Sequence, residues 1–179
     1  MKFSKAFAQV LIEEGYTHCF YLAGGNIMHL LEEFSKVFIS IPFVHEHSAT
    51  IAAEYFNETY KEGGRSFVLV TAGPGLTNSI TGIVGAFLES RELLVIGGQV
   101  KEEDLSSGEV RQRGIQEIDG VTLVSSVSKL AKRISRTSTL EEIRTYIRIS
   151  AQDRPGPVFL EIPLDVQASS LPSLSLIHI

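Results

Sequence analysis

Apolar residues in the first part of the chain switch between helical spacing and short continuous runs. In the segment 3–14 they recur every three or four positions up to Gly15, which predicts an amphipathic helix ended by glycine. A strand is predicted over 17–22, and the apolar positions of 27–34 return to helical spacing. The beginning of the chain therefore predicts a helix, a strand, a glycine turn and a second helix.

Later apolar runs are continuous rather than alternating: 67–70, 93–96 and 158–162. Continuous β-branched runs are typical of strands that helices cover on both faces of a parallel sheet. We expect the run at 93–96 to end at Gly97-Gly98, and helices over 80–88 and 140–151. The pattern predicts an α/β fold, a three-layer α/β/α sandwich around a central, mostly parallel sheet.

Composition narrows the class of protein. The chain has 179 residues, 44% of them hydrophobic, and a formal net charge of -5, which fits one domain with a sizeable core. The basic stretch 129–136 is too short to predict a nucleic-acid surface. Cys19 is the single cysteine, so no internal disulfide forms, and we expect it to pack in a strand.

Neither a membrane span nor a secretory signal is predicted. No apolar run approaches the roughly 20 residues that a spanning helix needs. The first residues lack a continuous apolar core and soon reach Glu13 and Glu14, which is atypical of a signal peptide. We therefore expect a soluble, cytoplasmic protein.

Glu46 lies where a predicted strand, 39–44, turns into an Ala-rich helix. Such a carboxylate either stabilises the first helical turn or carries chemistry at the end of a strand. The flanking His45 and His47 lack a third ligand at suitable spacing, so we predict no metal site.

Two further segments could border a ligand. Residues 73–78 follow a strand and open a helix, which is where open α/β sheets bind ligands, but they match no phosphate-binding loop. Gln116 follows a polar loop over 101–113 and is able to hydrogen-bond a carbonyl or carboxylate. Asn26 and His29 begin the second predicted helix and either face the same crevice or are ordinary surface residues.

Several motifs occur in an order that resembles the N-terminal pyrimidine-binding (Pyr) domain of thiamine diphosphate (ThDP) enzymes, in particular the acetolactate synthase-like branch. The resemblance covers residues 3–167. It depends on these segments: Ala23-Gly24-Gly25, His45-Glu46, Ala52-Ala53-Glu54, 71–78, Gly97-Gly98-Gln99, Gln116-Glu117, 154–157 and 162–166.

The resemblance implies roles for individual residues. Glu46 would contact the aminopyrimidine of ThDP and activate the cofactor, and Gln116 would project toward the reacting carbon. Pro74 and Asn78 would lie beside the pyrimidine ring. The main chain would approach the cofactor at four glycines: Gly24, Gly25, Gly73 and Gly75. The implied reaction is decarboxylation of a 2-keto acid, with or without ligation to a second carbonyl compound.

Departures from the acetolactate synthase pattern cluster on the expected substrate side. Residues 20–24 read Phe-Tyr-Leu-Ala-Gly instead of Phe-Gly-x-Pro-Gly, and Ile115 replaces the usual aromatic residue. His47-Ser48 replaces the common Gln-Gly. The substrate-side candidates are Asn26, His29, His47 and Ile115. The resemblance therefore leaves acetolactate synthesis itself open.

The family's other cofactor-binding motif is missing. No Gly-Asp-Gly occurs, so Mg²⁺ and the diphosphate are expected on a separate domain, and a need for FAD stays open. We divide the chain into a Pyr domain at 1–167 and a segment, 168–179, that is a tail, a truncated linker or a non-native extension.

Because the resemblance gives this chain only the pyrimidine half of the cofactor site, it implies a partner. The partner is either a second copy in a homo-oligomer or a chain that carries the diphosphate domain. We favour a fragment of a longer polypeptide. The alternatives are the small subunit of a two-chain decarboxylase similar to sulfopyruvate decarboxylase, and a non-catalytic dimerisation domain of the same fold. Alone, the chain is expected to be inactive.

Overall fold

The computed structural model describes residues 1–60 and 63–171. Within these ranges the helices are α1 (Phe3–Glu13), α2 (Met28–Val37), α3 (Glu46–Thr59), α4 (Pro74–Glu89), α5 (Gly120–Val124), α6 (Leu140–Ile149) and α7 (Leu164–Ala168). The strands are β1 (Tyr16–Tyr21), β2 (Ile39–Pro42), β3 (Arg65–Val70), β4 (Leu93–Gln99), β5 (Leu130–Arg133) and β6 (Pro157–Pro163).

The six strands form one sheet in the order β2-β1-β3-β4-β6-β5, and every neighbouring pair is parallel. From β1 the chain passes to β2 on one side and then returns to β3 on the other side. The chain therefore continues from β1 and from β3 toward opposite edges of the sheet, and such a switch point of an open α/β sheet is where ligands bind. The predicted α/β class is confirmed.

Helices cover both faces of the sheet. In β3, Phe67 and Leu69 join the apolar cluster that contains α1, α2 and α6, whereas Val68 and Val70 join the cluster of α3, α4 and α5. Complete burial of such a side chain stabilises the fold by about 1.5–3 kcal/mol. Cys19 is fully buried in β1, which confirms its predicted place in the core. The three predicted layers are present.

The prediction that β4 ends at its two glycines is wrong. The strand continues through Gly97 and Gly98 to Gln99. A Cβ at Gly97 would lie 2.6 Å from the Phe159 ring, and one at Gly98 would lie 2.2 Å from the Asn26 carbonyl oxygen. These glycines therefore permit close packing inside the sheet and do not mark a turn.

Several element boundaries also differ from the predictions. β2 ends at Pro42 rather than at residue 44. The basic stretch contains the short edge strand β5, whose charged residues are common at the edge of a sheet. Residues 120–127, for which no element was predicted, form α5 and a 3-10 turn. The polar segment 101–113 is irregular apart from a 3-10 turn at Glu102–Asp104.

The beginning of the segment predicted as a tail is attached to the domain. Ala168 ends α7, and Ser169 accepts a hydrogen bond from the Phe3 amide at 2.8 Å. Leu171 donates to the Met1 carbonyl at 2.9 Å, next to an antiparallel bridge between residues 2 and 170. Residues 172–179 lie outside the described residues. None of the described helices has the length and apolar character that crossing a bilayer requires.

Candidate functional site

The loops that follow β1 and β3 meet at the switch point of the sheet. The Asn26 amide donates to the Thr71 hydroxyl at 3.3 Å. A Cβ at Gly24 would lie 2.4 Å from the Thr71 Cβ, whereas one at Gly25 would meet no atom within 4 Å. The first glycine therefore lets the two loops touch, and the second borders open space. We call this edge of the sheet the crevice, formed by residues 24–26, 45–47, 71–78 and 114–117.

Glu46 is the first residue of α3 and is only 4% exposed. The Asn78 side-chain amide donates to its Oε2 at 3.0 Å. Across the ranges 1–60 and 63–171, no other hydrogen bond to this carboxylate is seen, so Oε1 is left for a ligand. A buried carboxylate with one oxygen held and one unpaired is suited to bind a ligand N–H or to exchange a proton with it.

The two histidines that flank Glu46 take part in the start of the helix. His45 is the N-cap, and its Nδ1 accepts a hydrogen bond from the His47 amide at 3.2 Å. This contact satisfies one of the unpaired amides of the first turn. In the described part of the chain, no group of three or more His, Cys, Asp or Glu side chains is arranged to hold a metal ion.

The start of α4 forms a wall of the crevice. Gly73 caps the helix with φ of +59° and ψ of −113°, a conformation that favours glycine. Its Cβ position lies 2.5 Å from the Gln116 carbonyl oxygen, so a side chain would also collide with the neighbouring loop. Pro74 occupies the first helical turn, and both Pro74 and Asn78 are exposed beside buried Gly75.

The loop that carries Ile115 and Gln116 closes over this wall. Gln116 is exposed and has φ of +64°, and Ile115 is 82% exposed. The Asn26 side-chain amide donates to the Ile115 carbonyl at 3.3 Å, and the Gln167 side-chain amide donates to the Asn26 carbonyl at 2.7 Å. Asn26 therefore connects three separate segments at the crevice.

Most of the predicted site residues lie together at the crevice, whereas His29 lies elsewhere. Glu46, Asn78, Gly73, Gln116, Ile115 and Asn26 are linked in the way described above. His29 instead lines a different pocket of about 370 Å³, together with Lys101, Arg136, Leu164, Asp165, Ala168 and Ser169. No contact between described residues joins His29 to the crevice, and its predicted role on the substrate side stays a prediction.

Sequence reasoning gave no role to Thr71, Gln167 or Glu117, which organise the crevice. Thr71 follows β3 directly, and its position at the carboxyl end of a strand is the signal that marks it as part of a ligand-binding edge. Gln167 contacts Asn26 across 141 positions of the chain, so no local pattern reveals it.

A buried polar network lies beneath the loop. Gln99 donates to the Ile118 carbonyl at 2.8 Å and to Glu161 Oε1 at 3.0 Å, and Arg133 Nε donates to Glu161 Oε2 at 2.5 Å. Burial raises the pKa of Glu161 above the ordinary glutamate value, although Arg133 and Gln99 oppose the rise. Both oxygens of this carboxyl are occupied, so it supports the loop from below.

An entirely parallel sheet with a buried carboxylate and a glycine-capped helix at its switch point defines a ligand-binding α/β domain. A family model described as "Thiamine pyrophosphate enzyme, N-terminal TPP binding domain" matches residues 1–123. The chain belongs to this family, which confirms the resemblance found in the sequence.

Curated relatives include enzymes with two different names. The chain is 35% identical over 184 residues to the acetolactate synthase large subunit of Lactococcus lactis and 31% identical over 160 residues to that of Buchnera aphidicola from Acyrthosiphon pisum. It is 34% identical over 162 residues to 2-hydroxyacyl-CoA lyase 2 of Mus musculus. These alignments cover 98%, 87% and 89% of this chain but only 31%, 27% and 24% of the respective relatives.

Proposed function

We propose that this chain is the pyrimidine-binding half of a ThDP-dependent enzyme that decarboxylates a 2-keto acid and joins the product to a second carbonyl compound. In this proposal Glu46 activates the cofactor. The observation that carries it is the buried Glu46 carboxylate at the switch point, with Oε2 held by Asn78 and Oε1 without a hydrogen-bond partner among the described residues.

The residues present fit the pyrimidine end of ThDP. Glu46 Oε1 would meet a ring nitrogen, and Pro74 and Asn78 would border the ring. When bound, ThDP supplies an electron sink for making and breaking carbon–carbon bonds. Asn78 keeps the carboxylate in one orientation, so that Oε1 holds or accepts a proton at a fixed position. Glu46 is only 4% exposed, which limits the access of water that would compete for that proton.

The other half of the site would come from outside this chain. We propose that a diphosphate-binding domain with Mg²⁺ completes it, either later in the same polypeptide or on a partner subunit. The relatives are three to four times longer than the matched region, which supports the first arrangement. A homo-oligomer would then bring the Pyr domain of one copy to the diphosphate domain of another.

A second candidate reaction is cleavage of a 2-hydroxyacyl-CoA. The mouse relative that carries this name is as similar to the chain as the synthases are. The exposed Ile115, where acetolactate synthases have an aromatic residue, also supports a different substrate side. Both reactions would use the same activation step at Glu46.

The test uses the complete enzyme, meaning this chain together with its diphosphate-binding domain, ThDP and Mg²⁺. CO2 release from a panel of 2-keto acids and aldehyde release from a 2-hydroxyacyl-CoA are measured for the parent, Glu46→Gln and the exposed control Glu89→Gln. General acid–base catalysis contributes about 10²–10⁴-fold, so we expect Glu46→Gln to lose at least about 10²-fold in kcat with its circular dichroism unchanged.

Three outcomes are informative. Parental activity in Glu46→Gln would remove this residue from the mechanism. Release of aldehyde without CO2 would favour the lyase over the decarboxylase. A parent that neither binds ThDP nor turns over any substrate would indicate the non-catalytic dimerisation domain instead.

A further inference from the structure

The segment between β4 and α5 passes over the crevice with little regular structure. It contains only one 3-10 turn, Glu102–Asp104, yet Gln116 near its end has a positive φ of +64°. Residues other than glycine rarely adopt such a φ, and they keep it only where the surroundings hold the backbone. A loop exposed to solvent would not provide this restraint by itself.

The Glu117 carboxylate supplies the restraint. Its Oε1 accepts a hydrogen bond from the Ser106 amide at 2.6 Å. Its Oε2 accepts from the amides of Arg113 at 2.6 Å and Gly114 at 3.0 Å. Glu117 is 9% exposed, and its three charge-assisted bonds join the two ends of the loop 106–114.

The charge state of Glu117 agrees with this geometry. Burial acts to raise its pKa, but the amides of Arg113, Ser106 and Gly114, together with the Arg133 guanidinium, lower it below the ordinary glutamate value. The side chain is therefore an ionised acceptor at neutral pH. Three N–H groups need such an acceptor, because a neutral amide offers only one oxygen.

Contacts on the other side of the loop fix the neighbouring backbone. The Ile115 carbonyl accepts from the Asn26 side chain, and the Gln116 carbonyl lies 2.5 Å from the position of a Cβ on Gly73. Residues 115 and 116 are thus held between the glycine-rich turns below and the Glu117 carboxylate beside them.

We propose that Glu117 is a positioning residue, whose carboxylate closes the loop 106–114 and thereby fixes the backbone that presents Gln116 to the crevice. The assignment of a reaction to Gln116 rests on the proposed function. The closure of the loop does not, because it is a property of this chain alone.

The first experiment measures amide hydrogen exchange on the 179-residue chain. Glu117→Gln is compared with the parent and with Glu109→Gln, which removes an exposed carboxylate from the same loop. Hydrogen bonds to charged groups are among the strong ones, so we expect the amides of Ser106, Arg113 and Gly114 to exchange at least about tenfold faster in Glu117→Gln only. Exchange in β4 should not change.

Unchanged exchange at these three amides would overturn the proposal. Faster exchange throughout β4 would overturn it as well, because the carboxylate would then support the whole domain rather than the loop. The Glu109→Gln control should match the parent at all of these amides.

The second experiment tests whether Glu117 acts by positioning Gln116 or by stabilising the domain in general. It uses the complete enzyme with ThDP and Mg²⁺. If Glu117 acts through Gln116, Glu117→Gln lowers kcat with little change in ThDP affinity, and the double variant Gln116→Ala/Glu117→Gln is no slower than Gln116→Ala within about twofold. Multiplied losses in the double variant would overturn the proposal. Failure of the parent to turn over would count against the proposed function alone, and hydrogen exchange would still decide the role of Glu117.

Discussion

Glu46 and Glu161 show how the surroundings of a buried carboxyl decide what it does. Both are almost completely buried. Glu161 has a partner on each oxygen, Gln99 on one and Arg133 on the other, so it has little capacity left for a ligand. In the part of the chain that the structure describes, Glu46 has a partner on one oxygen only, Asn78, and its other oxygen is free to contact a bound molecule. Unequal pairing of the two oxygens thus distinguishes the structural carboxyl of Glu161 from the carboxyl of Glu46, for which we propose a role in binding.

Removing Arg133 should destabilise the domain in a pH-dependent manner. Arg133→Met leaves the Glu161 carboxylate with Gln99 alone, and we expect a loss of about 1–3 kcal/mol at pH 7, because Arg133 is partly exposed. The folded-state pKa of Glu161 is raised above its unfolded value. Its contribution to stability is therefore complete below the unfolded pKa and declines as the pH rises through the folded pKa. Urea unfolding of the parent and of Arg133→Met from pH 5 to 8 measures the difference in the free energy of unfolding.

The control for this prediction is the double variant Arg133→Met/Glu161→Gln, which removes the buried charge together with its partner. It should recover most of the stability at pH 7, since a neutral amide costs less to bury than a carboxylate. A loss in Arg133→Met that is equal at pH 5 and pH 8 would show that the ion pair is not its cause.

Glu117 should show the opposite pH dependence. Its pKa is lowered in the fold by the three amides and Arg133, so its contribution is present above the unfolded glutamate pKa and is lost as the pH falls through the folded one. The stability difference between the parent and Glu117→Gln should therefore shrink as the pH drops from 7 to 3. Thermal melts across this range measure it, and a difference that grows in acid would contradict the assigned shift.

At the scale of elements, helices α3 and α4 set the distance between Glu46 and Asn78. Thr50 in α3 donates its hydroxyl to the Glu46 carbonyl at 2.7 Å. Gly82 in α4 faces this threonine, and a Cβ there would lie 2.6 Å from the Thr50 Cγ2. The absence of a side chain at Gly82 therefore lets the two helices approach closely enough for the Asn78 amide to reach Glu46.

Gly82→Ala and Gly85→Ala should have opposite effects on stability. At Gly82 the methyl collides with Thr50, and we expect a net loss of about 1–2 kcal/mol, since overpacking outweighs the gain in helix propensity. At Gly85 the nearest atom to a Cβ is Glu54 Oε2 at 3.7 Å, so alanine fits and should add up to about 1 kcal/mol.

Denaturant unfolding of both variants measures this difference. Gly85→Ala is the matched control, because it makes the same chemical change one helical turn away. Equal stabilisation by both substitutions would show that α3 and α4 have room to move apart, and Gly82 would then not determine the spacing of the site.

Local patterns predicted most of the helices and strands. They failed where a contact between segments distant in sequence determines where an element begins or ends. The helices and core strands follow from apolar spacing, since burial on one or both faces imposes that spacing. Gly97 and Gly98 suggested the end of a strand because nothing nearby in the sequence shows Phe159 or the Asn26 carbonyl. β5 was missed because its charged residues are compatible with an edge strand but do not demand one.

The same distinction applies to the site. Glu46 and residues 73–78 each lie at a junction that the local sequence marks, so the sequence alone identifies them as candidates. Asn26 was identified only as one of two possible crevice residues, and its bonds to Thr71, Ile115 and Gln167 could not be foreseen. A hydrogen bond between side chains far apart in sequence depends on the completed sheet, and a single sequence carries no signal for it.

At the scale of the whole molecule, residues 168–171 connect the end of the sheet to the first helix. Ser169 and Leu171 hydrogen-bond the backbone of residues 3 and 1. Leu171 also packs against the apolar cluster that contains α1. The described chain is therefore closed by contacts between its two ends.

A chain ending at Leu171 should be more stable than one ending at Gln167. The longer chain keeps two backbone hydrogen bonds, each worth about 0.5–1.5 kcal/mol net, so we expect a difference of about 1–3 kcal/mol. Equilibrium unfolding of chains 1–167 and 1–171 measures it. The 1–171 chain with Leu171→Ser keeps the backbone hydrogen bonds but loses the apolar contact, so its stability should lie between those of 1–167 and 1–171. Equal stability of 1–167 and 1–171 would show that these contacts contribute nothing.

The bond between Asn26 and Gln167 has a consequence for how the protein folds. It joins residues 141 positions apart, and the turn that it holds also needs Thr71 and Ile115 in place. Contacts of such high sequence separation form slowly, because loop-closure entropy is lost before they are gained. The crevice should thus be among the last regions to form during refolding. Nascent chains in which α7 has not yet left the ribosome should be unable to bind a thiamine derivative.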